Sequence, residues 1–268
     1  MRTPLHTFVV CAYGRSPYLQ ECVESLVRQT KKSRILIATS TPNEMISTVA
    51  VQYNLKIIVN PQKCGIAADW NFALRQTDTR LVTIAHQDDV YEPAYTEKVL
   101  KAFRKRQDAI ILFTDYRELR GSSDTASGGW QTGQSRLVKV KHLMLSPLRV
   151  RFLQKSRWVR RRILSLGNPI CCPAVTYVKG RTPEPLFHGE MKSNIDWQAW
   201  EQLSRQRGAF VYIPEPLMQH RIHEESTTSA LVGDHARREE DLYMYRKFWP
   251  GKIPELIWRF YGRNEKYQ

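Results

Sequence analysis

The chain has 268 residues, of which 42% are hydrophobic and 25% are charged, and its 41 Lys and Arg against 26 Asp and Glu give a formal net charge of +15. This composition excludes a disordered, collagen-like or coiled-coil chain and predicts one globular unit with a sizeable core. The net charge favours an anionic partner, whether nucleic acid, acidic lipid headgroups or a phosphorylated ligand.

Strands and helices alternate through the first 120 residues. HTFVVCAY predicts a first strand, followed by a helix over residues 19–28, and RILIAT and LKIIVN predict two more strands with a helix between them. GIAADWNFALRQT then predicts a helix and RLVTIA a fourth strand. This alternation predicts an α/β fold with a mainly parallel central sheet that is flanked by helices.

Polar residues follow each of the four predicted strands, at positions 13–15, 39–41, 60 and 86–89. Sheets of this kind bind ligands beyond the carboxyl ends of their strands. The sequence therefore predicts a site that is assembled from several loops, with Thr39 and Asn60 among its polar groups.

Two adjacent carboxylates, Asp88 and Asp89, come directly after the fourth strand. Two acids this close repel each other unless a positive charge lies beside them. Mn²⁺ or Mg²⁺ would supply this positive charge, since such ions bind one or two protein carboxylates and complete their coordination shell with phosphate oxygens and water. The alternative is that one Asp only caps the helix that VYEPAYTEKVLKAF predicts.

The second half of the chain has a different pattern. Residues 121–133 are rich in Gly and Ser and predict a mobile loop, GNPICCPAVTYVK predicts a strand, and SNIDWQAWEQLSRQRG predicts a helix that ends at Gly208. FVYIPEPLMQHRIH predicts a last strand. From His235 onward we expect a surface helix that is packed by Leu242, Tyr245 and Trp249.

Residues 142–166 predict one basic amphipathic helix, in which Leu, Phe and Trp recur at helical spacing among seven Arg and Lys residues. Three interpretations are open. The charges could form an ordinary solvated face, or the helix could lie on an anionic membrane. Binding to nucleic acid is disfavoured, because no zinc finger, RNA-binding signature or helix-turn-helix pattern accompanies the charge.

Apolar segments are short, and none approaches the roughly 18 residues that span a bilayer. The five cysteines are odd in number and form no C-x-x-C pair, so we expect reduced, buried thiols. The expected location is the cytoplasm, with a possible peripheral position on the inner face of the plasma membrane.

Four segments resemble, in order and spacing, the family 2 glycosyltransferases of the GT-A fold: FVVCAYGRSPYLQECVESLVRQT, NPQKCGIAADWNFALRQT, TIAHQDDVYEP and NIDWQAWEQLSRQRGAFVYIPEPLMQHRIHEESTT. The resemblance implies one domain over residues 1–230, with a Rossmann-like nucleotide-binding half (1–120), an acceptor half (121–230) and a helical extension (231–268). It implies an inverting, hexosyltransferase-like reaction that takes a sugar from a nucleotide-diphosphate sugar, with a UDP-sugar as the favoured donor. The implied acceptor is a hydroxyl of a glycan or of a lipid-linked molecule, in cell-surface polysaccharide or glycoconjugate synthesis.

The resemblance also assigns roles to residues. It implies that the nucleotide contacts Ala12, Tyr13, Arg15, Gly65, Asn71 and Asp88. Asp89 and Asp88 match the acidic metal-binding signature, and Asp196 matches the catalytic base. For Asp196 the local alternative is an acid in the first turn of a helix, where the helix dipole favours it.

The segment HRIH follows the last predicted strand. Its cations, His220, Arg221 and His223, could bind a diphosphate, and Arg221 suits two phosphate oxygens at once. A zinc pair is the less favoured alternative, because no third ligand is identifiable. Two departures from the family pattern stand out: ATSTPN lacks the acid that usually ends the second strand, and His86 stands where a third acid is expected.

Two other functions remain open. A sugar-phosphate nucleotidyltransferase also builds a metal and nucleotide site on a parallel sheet, but it usually carries a glycine-rich loop after the first strand, where AYGRSPYL has one glycine. A non-catalytic binder of membranes or nucleic acid would account for the net charge alone.

Overall fold

The computed structural model describes residues 4–62, 64–121, 130–223 and 235–261. Within these ranges nine strands form one sheet in the order β3-β2-β1-β4-β8-β6-β9-β5, and β7 pairs with β6. The strands are β1 (His6–Ala12), β2 (Arg34–Thr39), β3 (Lys56–Val59), β4 (Leu81–His86), β5 (Val90–Tyr91), β6 (Ala109–Arg120), β7 (Gln131–Gly133), β8 (Val175–Val178) and β9 (Ala209–Ile222).

Strands β1 to β4 are parallel to one another, so their carboxyl ends meet at one edge of the sheet. The helices that join them are α1 (Leu19–Val27), α2 (Glu44–Gln52) and α3 (Ile66–Arg75), and α4 (Tyr95–Lys105) follows β5. The predicted α/β fold and its parallel first half are confirmed.

The remaining strands make the sheet mixed. β8 is antiparallel to both β4 and β6, whereas β9 runs parallel to β6 over most of its length. β5 is short and antiparallel to β9, with Val90 opposite Gln219. This pairing brings the end of β9 next to the end of β4.

Each face of the sheet is covered by an apolar cluster. Phe8, Val10 and Leu112 point to one face with Leu26 and Phe103, while Val9 and Ile84 belong to the cluster on the other. That second cluster includes Trp200 and Met244, so α7 (Ile195–Ser204) and α8 (His235–Arg246) pack there. Burial of such side chains contributes about 1.5–3 kcal/mol each.

The prediction of one helix over residues 142–166 is wrong. The segment forms α5 (Arg136–Met144), two short 3₁₀ turns (Ser146–Arg149 and Leu153–Lys155) and α6 (Arg157–Leu164). Pro147 stands at the start of the first turn, where a backbone N–H has no partner within the turn and its absence is tolerated. The same missing N–H prevents α5 from continuing through this position. The side chain of Ser156 then accepts a hydrogen bond from the Val159 N–H and begins α6.

One arginine predicted for the polar face of that helix is internal. Arg160 is 1% exposed, and its guanidinium donates to the carbonyls of Ser204 at 2.7 Å and Gly208 at 2.9 Å and to the carbonyl of Gln206. Arg161 is partly exposed and pairs with Glu201 at 2.6 Å. Both cations therefore join α6 to α7 or to the loop that follows it.

Other boundaries also differ from the predictions. β8 is shorter than the predicted strand, because residues 172–174 form a 3₁₀ turn around Pro173, and α7 ends four residues before Gly208. A second C-terminal helix, α9 (Ile253–Tyr261), lies within the predicted helical extension, but its bounds were not predicted. Within the predicted mobile loop the structure describes the strand β7, and residues 122–129 lie outside the described residues. The predicted domain boundary at residue 230 also lies outside them.

The cysteines are all free, as predicted, but only Cys22 and Cys172 are buried; Cys11 and Cys171 are partly buried and Cys64 is exposed. Within the described part of the chain, none of the helices has the length and apolarity that crossing a membrane requires.

Candidate active site

A cavity of about 820 Å³ lies beyond the carboxyl ends of the parallel strands, and residues of α5, α7, α8 and α9 complete its wall. Ten of the predicted site residues line it: Ala12, Tyr13, Arg15, Gly65, Asp88, Asp89, Asp196, His220, Arg221 and His223. Thr39, Asn60 and Asn71 are not among the lining residues. The expectation of a site built from several loops matches this geometry.

Asp89 is almost fully buried just after β4 and accepts hydrogen bonds from an imidazole and a backbone N–H of β9. Its Oδ1 accepts hydrogen bonds from His220 Nδ1 at 2.9 Å and from the Arg221 N–H at 3.1 Å. Burial alone would raise the pKa of Asp89, but His220, His86 and the Arg221 N–H together lower it below its usual value. Asp89 is therefore a fixed negative charge.

His220 shows the matching shift. Burial would lower the pKa of this imidazole, but the adjacent Asp89 carboxylate raises it above its ordinary value. The two side chains thus form an ion pair, which the pairing of β5 with β9 brings together. Sequence reasoning placed both residues at the site but treated them as separate metal and diphosphate groups.

Asp88 is held from the other side of the cavity. Its Oδ1 accepts a hydrogen bond from the Ser16 hydroxyl at 2.6 Å, and His223 Nε2 lies 3.5 Å from its Oδ2. The positive charges that the two acids require are thus partly supplied by the protein.

Arg221 has less freedom than the sequence suggested. Its Nε donates to the Asp88 carbonyl at 2.9 Å and its Nη2 pairs with Glu21. Its guanidinium also packs against the rings of Tyr18 and Trp130, with centroids 4.4 and 4.2 Å away. Nη1 has no hydrogen-bond partner. The expected grip on two phosphate oxygens is corrected to one available donor.

His86 stacks on Trp70, with ring centroids 5.2 Å apart and an interplanar angle of 15°. Its Nδ1 lies 3.9 Å from Asp89 Oδ2. Burial lowers the pKa of His86, against the opposing effect of Asp89, so the ring is neutral near pH 7. His86 packs in the wall of the cavity at the position where a third acid was expected.

One oxygen in this cluster is suited to a metal ion. Asp89 Oδ2 is buried and has no hydrogen-bond partner. Among the residues that the structure describes, no group of three or more His, Cys, Asp or Glu could hold a metal. This donor set fits Mg²⁺ or Mn²⁺, which take one or two carboxylates and obtain further oxygens from phosphate and water. It does not fit zinc, which requires three or four protein ligands.

Tyr13 follows β1, lines the cavity and is 66% exposed. Its backbone N–H donates to Gln87 Oε1 at 3.0 Å, and Gln87 Nε2 donates to its carbonyl at 2.9 Å. Gly14 follows with φ +61° and donates its N–H to Thr41 Oγ1 at 2.7 Å. The ring of Tyr13 is therefore presented to the cavity on a well-anchored backbone.

The three predicted residues that do not line the cavity have structural partners. Asn71 donates to the Phe187 carbonyl at 2.7 Å, and its Oδ1 accepts the N–H groups of Leu186 and Phe187, each at 3.0 Å. Its amide is thus committed to a loop behind the site. Thr39 Oγ1 accepts the Thr41 N–H at 3.0 Å, and Asn60 donates to a carboxylate of α3.

That carboxylate is Asp69, which sequence reasoning missed. Asp69 lines the cavity and accepts hydrogen bonds from Ser40 Oγ at 2.9 Å and from Asn60 Nδ2 at 2.8 Å. It supplies, from the first turn of α3, a carboxylate at the end of β2, where the sequence itself has none. The available signal was an acid in the first turn of a helix that directly follows a strand-end loop.

Asp196 lies at the start of α7, on the same cavity. Its Oδ2 accepts a hydrogen bond from Asn168 Nδ2 at 2.8 Å, and its Oδ1 accepts the Trp197 N–H at 2.8 Å. Burial raises the pKa of Asp196 above its ordinary value, although these neutral donors oppose the shift. A buried carboxylate with a raised pKa is suited to accept a proton.

The C-terminal helices are closer to the site than predicted. Tyr245, Asp241 and Arg237 of α8 and Trp258 of α9 line the cavity, and Leu242 and Tyr245 are buried. The helix predicted from His235 is present and is packed by Leu242 and Tyr245 as expected, and it also forms part of the cavity wall.

Comparison with known proteins identifies the class. The sequence model described as glycosyl transferase family 2 matches residues 7–165, and the chain belongs to this family. It is an enzyme of the glycosyltransferase class. The family resemblance seen in the sequence is confirmed.

Among related proteins, the chain is 23% identical over 242 residues to an uncharacterized glycosyltransferase of Haemophilus influenzae, an alignment that covers 88% of this chain and 70% of that protein. It is 20% identical to an uncharacterized glycosyltransferase of Rickettsia typhi over 95% of this chain and 73% of the relative.

Two solved structures share the fold. The Staphylococcus aureus protein TarS (1–349) in complex with UDP-GlcNAc superposes with a TM-score of 0.59 at 16% identity, over 91% of this chain and 65% of that one. The Pyrobaculum calidifontis mannosyltransferase PcManGT in complex with GDP-Man and Mn²⁺ gives 0.62 at 13% identity, over 92% and 64%. The chain thus spans slightly less than two thirds of these solved chains, and its GT-A type fold is confirmed.

Proposed function

We propose that this glycosyltransferase transfers a sugar from a uridine-diphosphate sugar to an acceptor hydroxyl with inversion at the anomeric carbon. The observation that carries the proposal is the arrangement of one cavity between two unlike carboxylates, Asp89 with its cationic partners and Asp196 with neutral ones. The first suits a divalent cation that binds a diphosphate, and the second suits a hydroxyl that must lose a proton.

The donor would occupy the strand-end side of the cavity. The exposed ring of Tyr13 offers a face for a base, and Asp69 offers a carboxylate that can accept the ring N–H of uracil. Uracil and thymine carry such an N–H, as guanine does, whereas cytosine and adenine do not. The UDP-GlcNAc and GDP-Man complexes of the two structural relatives are consistent with this class of donor.

The diphosphate would lie near Asp89 and the HRIH segment. Mn²⁺ or Mg²⁺, held by Asp89 and by Asp88, would offset the charge that develops on the departing diphosphate. His220 and the open Nη1 of Arg221 are the protein donors that face the same region. The PcManGT complex with Mn²⁺ supports a divalent ion.

Asp196 would act as the base. Its raised pKa favours proton transfer from an acceptor hydroxyl, and Asn168 together with the Trp197 N–H fixes its orientation. A hydroxyl that attacks from the Asp196 side while the diphosphate leaves on the Asp89 side gives a single displacement with inversion.

The acceptor would be a glycan or a lipid-linked glycan in cell-surface polysaccharide or glycoconjugate synthesis. Large exposed apolar side chains are concentrated near α5, α6 and α9: Val140, Leu143, Val150, Phe152, Trp158, Leu166, Ile253 and Leu256. Residues 125–183 contain twelve Lys and Arg residues and no Asp or Glu, and among these cations Arg160 is buried. This combination favours contact with an anionic membrane, where each surface cation contributes about 1 kcal/mol.

A panel of nucleotide sugars tests the donor assignment. With Mn²⁺ present, UDP-sugars should raise the melting temperature and CMP- or ADP-sugars should not, and the best donor should be hydrolysed to UDP. Release of pyrophosphate from UTP and a sugar phosphate would instead show a nucleotidyltransferase.

Vesicles test the membrane contact. The protein should sediment with vesicles that contain phosphatidylglycerol and not with phosphatidylcholine vesicles, and Phe152→Ser with Trp158→Ser should reduce sedimentation. Unchanged sedimentation of that double variant would remove this surface from the proposal.

A further inference from the structure

The segment that leads into α7 is held by one carboxylate of α8. Glu240 Oε1 accepts the Lys192 N–H at 2.7 Å, and its Oε2 accepts the N–H groups of Ser193 at 2.9 Å and Asn194 at 3.0 Å. The Ser193 hydroxyl also donates to Oε2 at 2.6 Å. A single side chain thus satisfies the backbone donors of three consecutive residues.

The next residue of α8 extends this contact. Asp241 Oδ1 accepts a hydrogen bond from Asn194 Nδ2 at 2.7 Å. Asn194 precedes the first residue of α7, a position where an Asn side chain usually caps its own helix, but here the side chain makes no cap. The beginning of α7 is therefore fixed from α8 and not by its own residues.

A third contact reaches the other side of Asp196. Tyr245 of α8 packs edge-on against Trp197, with ring centroids 5.1 Å apart. The Tyr245 hydroxyl also lies 3.8 Å from where a Cβ on Gly167 would be, next to Asn168. Trp197 and Asn168 are the two hydrogen-bond partners of Asp196, so α8 packs against the ring of the first and beside the residue that precedes the second.

The charge state of Glu240 suits this role. Burial alone would raise its pKa, but the donors of residues 192–194 lower the pKa below its ordinary value, so the carboxylate stays ionised. A negative charge at the positive end of a helix dipole is also favourable. The contact is therefore stable at neutral pH.

We propose that Glu240 and Asp241 are positioning residues for sugar transfer, which hold residues 192–194 so that the carboxylate of Asp196 faces the cavity. The inference rests on the proposed role of Asp196 as the base. It makes α8 a working part of the active site, although this helix lies outside the family match at residues 7–165. A displacement of about 1 Å at such a group can cost about 100-fold in rate.

Glu240→Gln tests the proposal, and Glu239→Gln is the matched control. Gln has one acceptor oxygen and would turn an NH₂ group toward the backbone N–H groups, whereas Glu239 is an exposed neighbour on the same helix. The probe is hydrolysis of UDP-glucose, UDP-galactose and UDP-N-acetylglucosamine with Mn²⁺. We expect kcat of Glu240→Gln to fall about 10- to 100-fold, with the donor KM within about twofold of wild type.

Two further readouts separate positioning from general stability. The acid limb of the kcat profile should move to lower pH in Glu240→Gln, because a released segment admits water and burial is what raises the pKa of Asp196. Amide hydrogen exchange at residues 192–194 should become faster in the same variant and not in Glu239→Gln. A purely structural role would lower the melting temperature without moving the acid limb.

Asn194→Ala provides a second, milder variant, because it removes only the bond to Asp241 and leaves Glu240 in place. Its kcat should fall about threefold, the effect of one hydrogen bond. If Glu240→Gln does not fold, an unchanged kcat in Asn194→Ala overturns the proposal. If the wild-type chain hydrolyses none of the three donors, unchanged exchange at 192–194 in Glu240→Gln overturns it.

The two proposals fail separately. Full activity of Asp196→Asn would refute the base assignment whatever Glu240 does. An inactive Asp196→Asn together with kcat and pH profiles of Glu240→Gln equal to those of Glu239→Gln would refute only the positioning role.

Discussion

The two sides of the cavity each present a buried carboxylate, but the neighbours differ in charge. Asp89 meets His220 and the backbone of Arg221, while Asp196 meets an amide and a backbone N–H. Burial acts to raise the pKa of both carboxyl groups, and only at Asp89 do cationic neighbours reverse the shift. Neighbours, and not burial, thus decide which acid keeps its charge and which one can take up a proton.

This contrast gives each side of the cavity a separate task. A carboxylate that stays ionised can bind a cation throughout the reaction, whereas one with a raised pKa can exchange a proton with a substrate hydroxyl. A variant of Asp89 should therefore lose metal and donor binding, whereas a variant of Asp196 should lose sugar transfer.

The largest expected effect follows from Asp196→Asn. The amide keeps the shape of the side chain but cannot accept a proton, so transfer should fall about 10³-fold or more, within the upper range of general-base contributions. Donor binding, measured by calorimetry with UDP and Mn²⁺, should be nearly unchanged. A comparable loss in both assays would show that Asp196 supports the donor side instead.

Asp89→Asn should act on the opposite step. Loss of the charge removes the partner of His220 and the open carboxylate oxygen, so metal-dependent UDP binding should weaken about 100-fold. Asp88→Asn is the comparison, since Asp88 is more exposed and already accepts a bond from Ser16, and its effect should be smaller. Equal losses would mean that Asp88 contributes as much to metal binding as Asp89.

Asp69→Asn should have an intermediate effect on the base end of the donor. Replacing the carboxylate by an amide weakens the bond to the ring N–H of uracil, and UDP affinity should fall about tenfold while CDP affinity rises or stays level. Ser40→Ala, which removes one donor to Asp69, should cost less. Unchanged UDP affinity in Asp69→Asn would place the base elsewhere.

The side of the cavity formed by β1 to β4 was largely predictable from the sequence. Its strands are short apolar runs, and the rule that ligands bind at their carboxyl ends placed Tyr13, Asp88 and Asp89 together. Asp69 escaped because its carboxylate reaches the site only when α3 packs beside β2. The ion pair of Arg221 with Glu21 was not predicted for the same reason, because 200 residues separate the two in the sequence and only the fold brings them together.

The opposite side of the cavity is formed by contacts between distant segments, which the periodicity of apolar residues in the sequence does not reveal. Residues 142–166 keep helical spacing of their apolar side chains although the chain turns at Pro147 and again before Ser156. The internal placement of Arg160 depends on carbonyls at the end of α7, and the contact between Glu240 and residues 192–194 spans 46 to 48 positions. Local pattern can suggest an amphipathic helix, but it cannot show what that helix packs against.

The smallest effect concerns pH and the ion pair of Asp89 with His220. The folded pKa of His220 is raised above 6.5, so its contribution to stability is complete below about pH 6.5 and is lost as the pH rises through the folded value. The folded pKa of Asp89 is lowered below 3.8, so its contribution is complete above about pH 3.8 and is lost as the pH falls through the folded value. The pair should therefore stabilise the protein most between about pH 4 and pH 6.5.

His220→Gln removes the titrating group and keeps a donor near Asp89. The melting temperature of wild type should exceed that of this variant by a few degrees at pH 5, since about 1 kcal/mol corresponds to about 2–4 °C in a chain of this size. The difference should shrink as the pH rises through the folded pKa of His220, because the imidazole then becomes neutral in both the folded and the unfolded state. His223→Gln is the control, because it removes an imidazole that lies 3.5 Å from Asp88 and leaves the pair of Asp89 and His220 in place. A wild-type advantage that stays constant from pH 5 to pH 9 would mean that packing of the ring, and not its charge, holds the Asp89 side of the cavity together.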